Sequence, residues 1–125
     1  YPMKSLLTAG VTLAGASDYP VQVPSPPLLG IQLGMTRCEP GETDPGEILG
    51  PGERMNLEEM LAAFTINGAR ANFIENETGS IEVGKKADMV VLEYNLFDLP
   101  TSEISDANVL MTLFEGRIVY QNRHF

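Results

Sequence analysis

The sequence predicts a small protein of mixed α and β structure. Three observations lead to this fold class. Near the start, the signals for a helix, a glycine cap and an apolar strand follow one another directly, and this order of elements is typical of α/β proteins. Around residue 60, apolar residues recur with helical spacing. After residue 80, short β-rich runs alternate with turns that contain glycine.

The chain begins with signals for a helix and a strand. Residues Met3–Gly10 are typical of the end of a helix that is closed by a glycine at its C-terminal cap. Val11–Gly15 then predicts a buried strand, and Ala16–Pro20 predicts the exit from it. Pro27–Arg37 is expected to form a second helix, since proline is favoured in the first turn, where its missing N–H is not needed.

A long acidic loop precedes the clearest helix signal. Residues Glu39–Glu53 contain three prolines, four glycines and five acids, without apolar periodicity. Asn56 and Glu59 then form the pattern of a capping box. The helix that follows has one apolar stripe at positions i, i+3, i+4 and i+7: Leu57, Met60, Leu61 and Phe64. We expect this helix to end at Asn67-Gly68, and Ala69–Ile74 to form a second, short helix.

The stretch after residue 78 predicts two short strands joined by a turn. Gly79 and Gly84 stand where turns require a positive φ. Ile81 and Val83 alternate with polar residues, which predicts a half-buried strand. The unbroken apolar run Met89–Leu92 predicts a strand that is covered on both faces.

The end of the chain predicts a hairpin. A polar connection at Asn95–Asp106 leads to two β-rich runs, Val109–Phe114 and Arg117–Tyr120. Glu115-Gly116 joins them and suits a tight turn. We expect Met89–Leu92 to pair with one or both runs of this hairpin.

The composition limits the classes of function. A net charge of −9 argues against nucleic acid as a partner, because phosphate binding needs clustered Lys and Arg. No apolar run has the length of a membrane span. Cys38 is the only cysteine, which excludes an intrachain disulfide and a cluster of thiolate ligands. We therefore expect a cytoplasmic protein that binds neither nucleic acid nor membranes.

Asp18 is the strongest candidate for chemistry. It follows the predicted strand, at the end where α/β barrels gather their catalytic groups. A carboxylate there can ligate a divalent cation and can accept a proton from water. From the residues alone a structural role is favoured, in which Ser-Asp-x-Pro forms a turn and Asp18 binds nearby backbone amides.

Four other residues are weaker candidates. Cys38 lacks a neighbouring histidine and lies among acids, which disfavours its thiolate. Arg37 could bind a substrate carboxylate in a longer enzyme, but it is rather expected to offset the dipole of its helix or to pair with Glu39. His124, the single histidine, lies beside the last residue and is expected to be a surface residue rather than a ligand. Asp88 is expected to hold the turn before its strand.

Several of these segments together resemble a known family. The segments TINGARANF, GSIEVGKKADMVVLEYN and VLMTLFEGRIVY resemble the C-terminal end of the amidohydrolase superfamily, and the likeness runs over about Leu6–Tyr120. Within the superfamily, the chain is similar to the metal-dependent hydrolases related to N-substituted formamide deformylase. The string Gly-Ser-Ile…Gly-Lys-x-Ala-Asp carries the resemblance to the superfamily.

The resemblance implies a larger architecture, in which a TIM-type barrel is flanked by a β-sandwich. The chain has 125 residues, whereas a whole barrel takes about 250, so we expect a C-terminal piece of a longer α/β enzyme. Residues 1–76 would hold the last barrel strand, its loop and the trailing helices. Residues 77–125 would hold three or four strands of the sandwich. The piece itself would be of the α+β class.

The resemblance also implies a function. ASDYP matches the family's Ser-Asp-x-Pro segment after the eighth barrel strand, although Ala16 stands where the family has Gly. In the family this aspartate, Asp18 in this sequence, is the last metal-site residue and the general base. The longer enzyme is thus expected to cleave amide or related C–N bonds of a small molecule with a divalent metal, zinc. This chain alone lacks the histidines of the earlier strands and is expected to bind no metal and to be inactive.

Two other interpretations stay open. The chain could be a non-catalytic α+β module that binds a partner protein through an exposed sheet edge. It could also be a fragment that is stable only as an oligomer, since the orphaned apolar surfaces of the barrel strand and the long helix would need to be covered. On this ground we expect a homo-oligomer.

Overall fold

The computed structural model describes residues 1–21, 26–41 and 48–123, which fold as a small α+β unit. In these ranges the helices come first and the strands last. The helices are α1 Met3–Thr8, α2 Pro27–Thr36, α3 Leu57–Phe64 and α4 Ile66–Ala71, and the strands are β1 Met89–Leu92, β2 Val109–Phe114 and β3 Arg117–Gln121. Short 3₁₀ turns lie at Pro51–Glu53, Leu96–Asp98 and Thr101–Asp106.

Helix α1 ends as its sequence predicts. Gly10 has φ 85°, and its N–H donates to the Leu7 carbonyl while the N–H of Val11 donates to the Leu6 carbonyl. These two bonds form a Schellman motif. At the other end of α1, where Pro2 offers no side-chain cap, the Glu53 carboxylate accepts the N–H of Ser5 at 2.9 Å.

Helix α2 also has the predicted limits. It starts at Pro27 and is capped by Arg37 in the left-handed conformation, with φ 65°. Its buried residues are Ile31, Gln32 and Gly34. The Gln32 side chain is satisfied in the core because its oxygen accepts the N–H of Ser105 at 2.8 Å.

Helix α3 confirms the capping box. The Asn56 oxygen accepts the N–H of Glu59 at 2.8 Å, and the Glu59 carboxylate accepts the N–H of Asn56 at 2.9 Å. The predicted end of this helix at Asn67-Gly68 is wrong, because the break falls at Thr65. The hydroxyl of Thr65 donates to the Leu61 carbonyl at 2.6 Å, a contact that bends helices. The second helix therefore starts earlier than predicted and runs through Asn67-Gly68.

The three strands form one antiparallel sheet in the order β1-β2-β3. Val90 faces Thr112, and Thr112 faces Tyr120, so β1 pairs with the hairpin as predicted. The hairpin turn falls at Glu115 and Gly116, with φ 49° and 77°. The prediction that β1 is covered on both faces is wrong, since the side chain of Val90 is 58% exposed.

The core lies between the helices and the connection that follows β1. Ile104 is completely buried in it, together with Leu96 and Ala107. On the helical side it contains Ile31, Met55, Leu57 and Met60. The sequence predicts only a polar connection at residues 95–106, but this connection contributes to the core, because each of its two 3₁₀ turns buries an apolar residue. The division of the chain at residue 76 stays a prediction.

Two predicted strands do not form. Val11–Gly15 is neither a strand nor buried, and Val11 is 43% exposed. Ile81 lies in irregular structure and Val83 begins a turn, and Ile81 is 85% exposed. Both segments have the apolar pattern of a strand, but a strand also needs a neighbour for its backbone bonds. In the described ranges every strand of the sheet comes from residues 89–121, and none of them reaches these segments.

Candidate functional site

The segment Leu13–Asp18 is anchored to the helices instead of to a sheet. The N–H of Gly15 donates to the Ala63 carbonyl at 2.9 Å, and the Asn67 side chain donates to the Leu13 carbonyl at 3.0 Å. The ring of Phe64 also packs directly against Gly15, where a methyl group would clash with it. Helices α3 and α4 thus fix the position of the residues that lead to Asp18.

Asp18 lies at a turn of the backbone. Its φ is 56°, in the left-handed region that aspartate tolerates better than most residues. The Asp18 carbonyl accepts the N–H of Val21 at 2.8 Å, which closes the turn. The turn that the sequence predicts is therefore present. Its closing bond uses the backbone oxygen of Asp18, and the residue also lines an adjacent groove.

This groove has a volume of about 960 Å³ and is mostly apolar. Its walls come from α1, the segment 13–18, α2 and α3. In the part of the chain that the structure describes, Asp18 and Arg37 are the residues with charged side chains that line it. The apolar and small residues around them include Met3, Leu13, Leu29, Gly30, Leu33, Gly34, Met60 and Phe64.

Sequence reasoning missed this groove, although one signal was present. Gly30 and Gly34 are four residues apart and so lie on the same face of α2. A methyl group at Gly30 would lie 2.6 Å from the Phe64 ring, and one at Gly34 would clash with Met60. Small residues at this spacing therefore mark the face where α2 and α3 approach closely.

Arg37 lies at the end of α2, half-buried at the groove. Its Nε donates to the Leu49 carbonyl at 3.1 Å. Arg54 makes the reciprocal contact, since its Nε donates to the Thr36 carbonyl at 3.2 Å. The two arginines therefore hold together the ends of the acidic loop. Residues 42–47 of this loop lie outside the described residues.

The remaining candidates do not join Asp18. Cys38 is half-buried and does not line the groove. His124 lies outside the described residues. Among the residues that the structure describes, no group of three or more His, Cys, Asp or Glu side chains could hold a metal ion. Any metal centre that used the Asp18 carboxylate as an oxygen ligand would therefore need its other ligands from outside these residues.

Asp88 has the structural role that its sequence predicts. Its carboxylate accepts the N–H of Glu115 at 2.8 Å and the hydroxyl of Thr78 at 2.7 Å. The hydrogen bond from Glu115 and then that from Thr78 lower the pKa of Asp88. Lys86 adds ion pairs to Glu77 at 3.0 Å and to Glu115 at 3.3 Å. These contacts fasten the turn before β1 to the hairpin.

Comparison with known proteins identifies the family. A sequence profile described as the amidohydrolase family matches residues 1–120. The chain belongs to the amidohydrolase family. The resemblance that the sequence carries is thus confirmed. None of the helices in the described ranges could span a lipid bilayer.

The chain spans about a fifth of the length of the first curated relatives that it matches. It is 36% identical over 121 residues to N-substituted formamide deformylase of Arthrobacter pascens, covering 97% of this chain and 21% of that protein. It is 38% identical over 120 residues to Protein LONG AFTER FAR-RED 3 of Arabidopsis thaliana, covering 96% of this chain and 20% of that protein. The crystal structure of an amidohydrolase from Thermotoga maritima matches with a TM-score of 0.70 at 25% identity, over 96% of this chain and 26% of that one.

Proposed function

We propose that this chain is part of a longer amidohydrolase, to which it supplies the catalytic aspartate Asp18. The longer enzyme hydrolyses an amide or related C–N bond of a small molecule. The membership of the family and the identity with N-substituted formamide deformylase support this reaction class. The chain spans about a fifth of that relative, so the activity belongs to the longer protein and the segment alone is inactive.

The position of Asp18 carries the proposal. Asp18 lines a groove large enough for a small molecule, at the end of a segment that two hydrogen bonds and the Phe64 ring hold in place. A carboxylate fixed in this way can orient a water molecule and accept its proton as the water attacks the carbonyl carbon. It can then return a proton to the leaving nitrogen. The first step needs the ionised carboxylate, and the second step is carried out by the carboxylic acid that the first one leaves.

A divalent metal, zinc in our expectation, would supply activation of the attacking water when it is bound. Asp18 would be one of its ligands. Zinc enzymes of this kind use about three protein ligands and keep one position open, so the longer protein would provide the rest.

The architecture proposed for the longer protein is a TIM-type barrel with a flanking β-sandwich. Residues 1–76 would belong to the barrel and residues 77–125 to the sandwich. The apolar residues left exposed on both parts support this assignment, since the rest of a longer protein would cover them. They include Val11, Phe73, Ile81, Val83, Val90, Ile118 and Val119.

Substitution of Asp18 by Asn in the full-length protein tests the proposal. The change is nearly isosteric, so folding should be retained, while the rate of amide hydrolysis should fall about 10²–10⁴-fold through loss of the general base. Asp106→Asn is the matched control, because Asp106 is also exposed but does not line the groove. A rate near that of the wild type in the Asp18 variant would show that Asp18 is only a turn residue.

A further inference from the structure

Two polar groups at the break between α3 and α4 hold the segment that leads to Asp18. The last carbonyls of a helix have no partner within it, and Ala63 is the next-to-last residue of α3. Its carbonyl accepts the N–H of Gly15 at 2.9 Å. Asn67 lies in the first turn of α4, and its side-chain Nδ2 donates to the Leu13 carbonyl at 3.0 Å. The break therefore presents an acceptor and a donor to the same short segment.

A second contact orients the amide of Asn67. Its Oδ1 accepts the Nη1 of Arg70 at 3.0 Å. Because a guanidinium only donates, the oxygen of the amide faces Arg70 and the nitrogen faces the Leu13 carbonyl. Both ends of the amide are thus engaged, one within α4 and the other on the segment before Asp18. An aliphatic side chain or a carboxylate at this position would take the donor away from the Leu13 carbonyl.

The burial of the segment alternates from one residue to the next. Its half-buried residues are Leu13, Gly15 and Ser17, and its exposed residues are Thr12, Ala14, Ala16 and Asp18. This alternation is typical of an extended chain with one face against its neighbours, here the helices. A slip of one residue would exchange the two faces. Both anchoring bonds are made to the half-buried row, at Leu13 and Gly15, so they fix the register that places Asp18 in the exposed row.

We infer that Asn67 is a positioning residue: through the Leu13 carbonyl it sets the register in which the segment 13–18 presents Asp18. The inference rests on the proposed function, because Asn67 acts on catalysis only through Asp18. Without the donor, the Leu13 carbonyl loses its bond, and rotation about the remaining contacts of Gly15 would displace Asp18. Displacement by about 1 Å can cost an enzyme about 10²-fold in rate. Asn67 therefore affects the rate of hydrolysis without contacting the reacting atoms.

Asn67→Asp tests the inference, with Asn72→Asp as its matched control. At position 67 the change is nearly isosteric and keeps an oxygen for Arg70, but it replaces the donor by an acceptor. Asn72 also donates its Nδ2 to a carbonyl, that of Gly68 at 2.8 Å, but this bond stays within α4 and its C-terminal cap. The control thus adds the same charge at the same helix and removes the same kind of bond, without touching the segment 13–18.

Nuclear magnetic resonance of the 125-residue chain measures the position of the segment directly. In Asn67→Asp, hydrogen exchange at the Gly15 N–H should become about 10-fold faster, because the bond beside it is lost. The residual dipolar coupling of the Asp18 N–H should change relative to the couplings in α3. Neither should change in Asn72→Asp. Arg70→Met is a milder second variant that keeps Asn67 but removes the group that orients its amide, and it should speed the exchange about 3-fold.

Kinetics of the full-length protein separate positioning from a general loss of stability. With N-butylformamide as the probe, Asn67→Asp should lower kcat about 10- to 100-fold and change KM by less than about 3-fold. In an Asp18→Asn background the same change should lower kcat by less than about 2-fold, because the residue that Asn67 positions is already disabled. A residue needed only for stability would lower the rate by the same factor in both backgrounds.

Two results would overturn the inference. The first is Gly15 exchange and an Asp18 coupling in Asn67→Asp that match those of Asn72→Asp, or, if Asn67→Asp does not fold, unchanged values in Arg70→Met. The second is an equal loss of kcat in both backgrounds. Failure of the wild type to hydrolyse the formamide, or a wild-type rate in Asp18→Asn, would instead count against the proposed function. In either case the resonance measurements still decide whether Asn67 positions Asp18.

Discussion

Replacement of Gly79 by alanine should lower the free energy of unfolding by more than the loss of one surface contact would. Gly79 has φ 92°, a conformation that costs a residue with a Cβ about 1–2 kcal/mol. A methyl group there would also lie 2.7 Å from the Cβ of Ala69 and 3.0 Å from the Cα of Ile66. Because Ile66 Cα is a backbone atom of α4, the helix itself would have to shift. Overpacking of this kind costs about 1–3 kcal/mol.

Gly84 provides a matched control for this prediction. Its φ is 95°, nearly the same as that of Gly79, but a methyl group at Gly84 would meet nothing within 4 Å. Gly84→Ala should therefore cost only the conformational term, and both variants share the same entropic gain from a less flexible unfolded chain. The difference in the free energy of unfolding between the two variants isolates the clash, at about 1–3 kcal/mol.

Urea denaturation followed by circular dichroism measures both variants of the 125-residue chain. A double-mutant cycle with Ala69→Gly adds a second readout, since removal of the Ala69 Cβ should recover part of the loss in Gly79→Ala but none in Gly84→Ala. If the two glycine variants unfold with free energies that agree within about 0.5 kcal/mol, the close approach of Gly79 to α4 is not what the position requires.

Three further predictions concern the caps, the turn and the surface. Asn56→Ala should lower the free energy of unfolding by about 1 kcal/mol through loss of the capping box, and an unchanged urea midpoint would contradict this. The pKa of Asp88 is lower in the folded protein than the ordinary aspartate pKa. The ionised carboxylate therefore stabilises the fold above the ordinary pKa, and this contribution is lost as the pH falls through the pKa of the folded protein. Asp88→Asn should thus flatten the acid side of the stability profile, and an identical profile would refute it. We also expect the isolated chain to form a dimer or higher oligomer through apolar residues such as Val90 and Ile118, which are more than half exposed. Light scattering that shows only monomer at high concentration would exclude this.

The parts of the fold that local signals determine could be predicted from the sequence. The start of α2 follows from Pro27, and the start of α3 follows from the capping box of Asn56 and Glu59. The hairpin follows from Glu115-Gly116 between two β-rich runs. In each case the residues that fix the element lie within a few positions of one another, so no distant contact has to be known.

The two wrongly predicted strands fall where residues far away in the sequence decide the structure. Val11–Gly15 and the residues around Ile81 have the apolar pattern of strands but no strand beside them among the described residues. The break at Thr65 was missed for a different reason, because threonine can stay within a helix or bend it according to where its hydroxyl donates. The burial of Ile104 was missed because its connection is polar on average, and only the packing against α2 shows which residue turns inward.

The candidate site depends both on local sequence signals and on contacts between residues far apart in the sequence. Asp18 could be named from the sequence because of its type and its position after an apolar run, yet that run forms no strand here. Its position depends instead on α3, whose Phe64 packs between Gly15 and Gly30 and whose Ala63 carbonyl binds the segment directly. Helix α3 has the strongest local signal in the chain. The helix with the strongest sequence signal therefore positions the residue proposed for catalysis. A substitution that displaces the Phe64 ring should shift the position of Asp18, although Phe64 is not itself part of the proposed chemistry.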